Sequence, residues 1–357
     1  MALRVALVGG PMYDGLYSLL PSDADVVVHA DHPTLNRVVA ERLAAGERID
    51  LLSTHSKYAP SQAQWLTPLD PELARDLAPR AVDLCTYDGA LLCVPRNVDV
   101  RVMWARHDRV DDPPLTWEAL VGADAIFGFT GRESGLFGTF FEHVASHGGA
   151  LFDSDHQPTI DTAQGVEAVD ALCRIARRGP PALRSWHYDD VDAALGTGVV
   201  DMAATWPGGF AALRASPAAP QLSPHPYLSG PAGLRSYSGS HGWAMPRTCG
   251  DVPAALDAIR RLSSFEAHAL DAESGTVCAH VDAFASVAPL DAVDAARLDI
   301  IRATIADGMI TYPPLPRFPD IEAAGWSSIN AALRRELSPT AAVARIQRSA
   351  EATLAAD

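Results

Sequence analysis

Residues 84–120 read LCTYDGALLCVPRNVDVRVMWARHDRVDDPPLTWEAL. Two short apolar runs flank Asp88-Gly89, a dipeptide that accepts the positive φ angles of a tight hairpin turn. Pro95 cannot donate to a ladder, so Val94-Pro95 closes the second arm. Val98-Asp99-Val100-Arg101-Val102-Met103-Trp104 then alternates with period two, which predicts an extended segment with two unlike faces. After the break at Asp111-Asp112-Pro113-Pro114, Thr116 is placed to cap a helix beginning at Trp117-Glu118.

The flanking sequence has the grammar of an α/β chain. Leu3 to Val8 reads as a first strand, Asp25-Val26-Val27-Val28 as a second and Asp50-Leu51-Leu52 as a third. Between the last two, Leu35, Val38, Val39 and Leu43 fall at helical spacing, and Gly46 is the predicted stop. Trp65-Leu66-Thr67-Pro68-Leu69-Asp70 reads as a turn, residues 127–135 as a glycine-punctuated loop opening a helix, and residues 152–161 as a hairpin. Val166, Val169, Leu172, Cys173 and Ala176 mark an amphipathic helix stopped at Gly179-Pro180-Pro181. Residues 193–203 enter a further strand that ends at Thr205-Trp206-Pro207-Gly208, and residues 237–245 read as another. Asp251 caps a helix, residues 312–317 form a proline-rich crossing, and a last helix follows Ser338-Pro339.

The ordered set "YDG-x-L-x-x-VP, long strand, PP-x-TW-E-x-L", with these flanking pieces, resembles the solute-binding proteins of carbohydrate ABC transporters, the family 1 sugar-binding group. The resemblance implies an α/β, two-lobe periplasmic-binding-protein-like fold of type II, with the ligand cleft between lobes joined by hinge strands. One lobe is expected from residues 1–103 with 245–312, the other from 104–244 with 313–357. It further implies capture of a sugar or sugar-like solute, delivery to ABC permease subunits, no enzymatic activity, no cofactor and a monomeric chain. Two other readings carry less: an intracellular ligand sensor on the same scaffold, and a hydrolase. A sensor needs an output domain, and no stretch remains to supply one. A hydrolase needs an arrangement that Gly239-Ser240-His241-Gly242 does not supply, lacking the G-x-S-x-G spacing.

Composition narrows the partners. At 357 residues the chain can hold two domains, and its 48% hydrophobic and 20% charged residues are ordinary for a globular protein. A formal net charge of −16 argues against nucleic acid or an anionic membrane. No run approaches the roughly 20 apolar residues of a membrane span. Met1-Ala2 leads straight into the first strand with no recognisable leader, whereas the resembled family is exported; an extracytoplasmic location is therefore the expectation from resemblance, with the cytoplasm left open. Five cysteines form no C-x-x-C pair and are read as small buried hydrophobes. Gly9-Gly10-Pro11 fails the dinucleotide fingerprint, because proline stands where a second glycine is needed. His143 and His147 lie one helical turn apart, but no third ligand accompanies them, so no metal site is expected.

Candidate ligand contacts fall where strands end, the edge at which open α/β sheets bind small molecules. In the first half these are Tyr13, Asp14, Thr54, His55, Lys57, Arg96, Asn97 and Asp99. Asp99 can accept from two adjacent hydroxyls, and Asn97 can both donate and accept. Further on they are Arg132 and Glu133 in the glycine-punctuated loop, Trp206 with Gly208, and Ser240 with His241, and the resemblance implies one more, Trp326 on the helix after residues 312–317. Trp206 is the favoured aromatic plate for the C–H face of a sugar. The guanidinium groups of Arg96, Arg101 and Arg132 leave a sugar acid or sugar phosphate open as the solute.

Overall fold

The computed structural model describes residues 1–356, apart from the side chains of Pro11 and Met12. The chain divides into two compact units: Met1–Asp99, Gly239–Ala288 and Pro314–Pro316 form the first, and Val100–Ser238, Pro289–Pro313 and Arg317–Asp357 the second. Each is α/β with its own sheet.

In the first unit the five strands run in the order Asp25–Ala30, Arg4–Val8, Leu51–His55, His241–Ala244, Val94–Pro95. The first three are parallel, joined through the helix His32–Ala44. Asp31 caps that helix by accepting from Thr34 N–H at 2.9 Å. Its buried stripe, Leu35, Val39 and Leu43, covers one face of the sheet, matching the predicted spacing. His241–Ala244 returns antiparallel beside Leu51–His55, registering His241 with His55, and Val94–Pro95 pairs with its other edge.

The Asp88-Gly89 hairpin forms, with φ 48° and 73° at the turn and Thr86–Tyr87 paired with Ala90–Leu91, but its second arm stops at Leu91, and Val94–Pro95, read as its close, belongs to the five-stranded sheet. The alternating run is shorter as a strand than its pattern predicts. Its ladder begins only at Val102, in the strand Val102–Arg106. Upstream, the backbone spends its donors on single partners: Arg96 N–H on His241 O at 2.7 Å, Val98 on Val277 O and Asp99 on Gly239 O. Those bonds tether residues 96–99 at single points, of which only the one from Arg96 reaches a strand, His241–Ala244.

The second unit has a four-stranded sheet ordered Leu222–His225, Val102–Arg106, Met202–Thr205, Phe127–Gly128. Thr116 accepts from Ala119 N–H at 3.1 Å and starts the helix Trp117–Gly122 as predicted. The glycine-punctuated loop opens the helix Glu133–Ser146, and Thr162 caps the amphipathic helix Ala163–Arg178. Residues 152–161 form a short hairpin as read, closed by backbone bonds from Asp153 N–H to Gln157 O and from Thr159 N–H to Leu151 O, 2.9 Å each. Asp153 Oδ1 accepts from Asp155 and Gln157 N–H, leaving one bridge, Phe152 to Pro158. The helix Ala292–Ala303, expected in the first lobe, packs in the second unit: it lies on Leu222–His225, and Arg297 stacks over Phe210 at 3.9 Å. Among the described residues, no helix is long and apolar enough to cross a membrane.

Candidate functional site

Within the first unit, the ends of Leu51–His55 and His241–Ala244 bring polar rings together at one sheet edge. His241 Nδ1 lies 2.8 Å from His32 Nε2, and its Nε2 lies 3.2 Å from the hydroxyl of Tyr13. The rings of His32 and His241 stack at 4.6 Å, and His55 meets His241 edge-on at 4.8 Å. His55 can sit there because residue 239 is glycine: a Cβ would lie 2.2 Å from the His55 ring. Lys57 N–H donates to His55 Nδ1 at 3.0 Å, so the neutral ring carries its proton on Nε2.

Burial is the largest cause that lowers all three histidine pKa values, with the charge of Lys57 adding to it. His32 is lowered from 6.5 to about 3, with Asp31 pulling the other way. Around neutral pH the three rings therefore carry no charge.

Asn97 and Asp99 complete the cluster. The Asn97 side chain accepts from His241 N–H at 2.8 Å and donates to Asp99 Oδ2 at 3.0 Å. His241 Nε2 lies 3.7 Å from the same oxygen. The other carboxylate oxygen, Oδ1, is buried and has no protein partner, although Asp99 is only 7% exposed. Burial pushes the Asp99 carboxyl up to about 7, against the pull of Arg96 and Asn97. An oriented acceptor left without a donor is costly unless a bound group supplies one.

Several predicted contacts are committed elsewhere. Arg96 forms a fork with Asp271, at 2.8 and 2.6 Å, with both side chains buried, and also lies over the Tyr13 ring. Thr54 gives its hydroxyl to Gln62, which donates in turn to Asn36. Ser240 is bound through its backbone to Ser56 and through its hydroxyl to His241 O. Asp14 is exposed and pairs with His29 at 3.0 Å. His32 and Asp271 belong to the cluster but lack a legible signal: each sits inside a segment whose pattern reads only as helix or loop.

In the second unit Trp206 follows the strand Met202–Thr205 and meets Tyr188 and Tyr237 edge-on, with the Arg101 guanidinium 4.8 Å over its ring. Gly208 lies in the short turn just after it. Arg132 pairs with Glu133 at 2.5 Å, and Glu133 also meets His187 at 3.2 Å. Trp326 is half-buried on the helix Phe318–Leu333. Among the described residues, no group of three His, Cys, Asp or Glu side chains is arranged to hold a metal ion.

The sequence pattern of the bacterial extracellular solute-binding protein family matches residues 22–275, more than half of the chain. The chain belongs to that family. Solved structures extend the likeness across its whole length. The maltose-bound MalE3 protein of T. maritima superposes with a TM-score of 0.89 at 20% identity, covering 98% of this chain and 99% of that one. An ABC transporter solute-binding protein of Agrobacterium radiobacter in complex with ribitol gives 0.85 at 18%, covering 99% and 98%. The GacH receptor of Streptomyces glaucescens, solved unliganded and with acarbose, gives 0.85 at 16%, again over 99% and 98%. At these identities the likeness establishes the two-lobed periplasmic-binding-protein fold. This family member is a solute-binding protein.

Proposed function

We propose that this solute-binding protein serves an ABC importer outside the cytoplasm, as a non-enzymatic monomer that captures a sugar-like solute and hands it to the permease. One observation carries the reading most directly: the buried, unpartnered Oδ1 of Asp99. Around it Tyr13, His55, Asn97 and His241 offer donors and acceptors at short range, the chemistry that holds adjacent hydroxyls. Lys57 borders this group, and Arg96 and Asp271 brace it from behind. In the second unit Trp206, framed by Tyr188 and Tyr237, is the plate suited to a sugar's C–H face. Arg132, Glu133, Gly208 and Trp326 are further proposed contacts of that unit. Thr54, Ser240 and Asp14 serve the local structure instead. The related structures support a ligand class, since they hold maltose, ribitol and acarbose.

The test is a thermal-shift screen of the purified chain against neutral sugars, polyols, sugar acids and sugar phosphates. A ligand that binds only the folded state raises the melting temperature by mass action. The expected result is at least one strong hit that is recovered chemically unchanged. A panel with no hit, or a hit consumed during incubation, would overturn the capture reading.

A further inference from the structure

The second unit contains a cavity of about 560 Å³, a volume suited to a small molecule, and none of the proposed solute contacts lines it. One wall is the hairpin in which Ser229–Gly230 pairs with Gly233–Leu234, together with Arg235 just after it. The other wall is the end of the helix Ala292–Ala303 and the segment that follows. Past Ala303 the chain widens into a π-helical turn, Thr304–Gly308. Turns of this kind are uncommon and recur at functional sites. Gly308 lets the walls meet at one end, because a Cβ there would lie 2.5 Å from Leu234 Cδ2.

Polar groups face this cavity with bonding capacity unspent. Arg235 is half-buried and gives one donor, Nη1, to the carbonyl of Leu234 at 2.8 Å. Asp307 stands exposed on the opposite wall. Among the described residues neither has an ion-pair partner, although both line the same cavity. Thr304 is 3% exposed, yet among the described residues its hydroxyl has no hydrogen-bond partner. A nearly buried hydroxyl in that state calls for a partner from outside the chain. The other carboxylate of the lining, Asp299, is taken by Arg302 at 3.1 Å. Leu234, Ile300 and Ala303 supply apolar surface.

A guanidinium and a carboxylate that share a cavity without meeting complement a ligand that carries both charges. The guanidinium matches a carboxylate through paired N–H donors, and Asp307 accepts from an ammonium group. A lone anion would face the like charge of Asp307, and a lone cation that of Arg235. We propose that this cavity is a ligand site separate from the solute contacts, and that it takes a small zwitterion with an apolar side chain, the size of an amino acid or dipeptide. Arg235 holds the carboxylate, Asp307 the ammonium, and Leu234 and Ile300 the side chain, with Thr304 as a further hydrogen-bonding partner.

Titration calorimetry at pH 7 tests this with L-leucine and L-leucyl-L-leucine as probes. Their controls are 4-methylpentanoate, which lacks the ammonium, and leucinamide, which lacks the carboxylate. At least one zwitterion is expected to bind saturably with a Kd below about 1 mM. Each control should bind about 10-fold more weakly or worse, the scale of a lost hydrogen bond to a charged group. Arg235→Gln and Asp307→Asn should each weaken the zwitterion by a similar factor. Ala303→Trp, at an exposed position, should fill the cavity and abolish binding. Melting temperatures show which variants are folded, and the comparison of probes on the wild-type chain stands even if none is. The proposal is overturned if neither zwitterion binds, if a control binds as tightly, or if folded Arg235→Gln or Ala303→Trp keeps full affinity. Each of those results leaves the solute-capture reading standing, since that reading rests on other residues.

Discussion

Glu142 holds the polar centre of the second unit, and removing it should be among the costliest single changes in this chain. The residue is 0% exposed on the helix Glu133–Ser146. Its Oε1 faces Arg101 Nε at 3.1 Å and accepts from Tyr237 N–H at 3.1 Å, while Oε2 accepts from the Tyr227 hydroxyl at 3.0 Å. Burial pushes the Glu142 carboxyl up to about 7, against the pull of Arg101 and its other donors. Burial also disfavours the charge of Arg101, but Glu142 and the neighbouring tyrosines more than offset it. Glu142→Ala strands a buried guanidinium, which costs about 3–5 kcal/mol. It also leaves a backbone N–H and a phenol without an acceptor, adding about 1–3 kcal/mol. The expected loss is therefore about 4–8 kcal/mol. Glu142→Gln keeps the volume and one acceptor and should cost about 2–4 kcal/mol. The double variant Arg101→Met with Glu142→Leu, which buries no charge, should recover at least half of the alanine variant's loss. Urea unfolding followed by tryptophan fluorescence gives the stabilities. Hydrogen exchange read by peptide assigns the loss to the second unit, which matters because two units need not unfold in one step. A cost below about 1 kcal/mol for Glu142→Ala, or a double variant no better than the single, would refute the reasoning.

The pH dependence of stability should show two opposed contributions over the same window. Asp99 rises from 3.8 to about 7 on folding, so its contribution is full below the lower value and is lost as the pH climbs through the upper one. The cost of ionising it in the fold is on the order of 4 kcal/mol, so Asp99→Asn should be the more stable protein at pH 8 and should lose that advantage by about pH 4. His32 falls from 6.5 to about 3, so its contribution is present above the higher value and lost below it, and His32→Gln should flatten the acid limb. Urea midpoints at several pH values check both, and the idea fails if Asp99→Asn gains nothing at pH 8. Gly138→Ala should destabilise by about 1–3 kcal/mol despite alanine's better helix propensity, because its Cβ would lie 1.9 Å from the Tyr237 ring. A melting temperature at or above wild type would show that Tyr237 can move aside. Cys249 is the one cysteine that is not buried, so a thiol reagent should label it first; Cys85, Cys93, Cys173 and Cys278 should react only on unfolding.

Much of the fold was legible because local physics agrees with it. Thr116 and Asp251, read as caps, and Ser338, where the last helix was placed, each accept from a backbone N–H in the first turn. Asp88-Gly89 takes the positive φ pair its turn requires. Legibility failed where a segment's partner lies far away in sequence. The run from Val98 alternates like a strand, yet upstream of Val102 its backbone donors go to Val277 O, Gly239 O and the Ser236 hydroxyl. The helix Ala292–Ala303 carries no mark of the sheet it packs on.

The candidate site divides along the same line. Asp99, Asn97, His55 and His241 were readable because each stands at or near a strand end, where chemistry and position coincide. The commitment of each arginine was not. Arg96 has its carboxylate 175 residues away, and Arg101 finds Glu142 on a helix whose pattern predicts only burial. A sequence shows that a chain owns a cation; it does not show that the cation is already neutralised. That difference changes what the first unit's cluster offers: with Arg96 forked onto Asp271, the group left over there is an acceptor, Asp99 Oδ1, where the sequence alone suggested a cation.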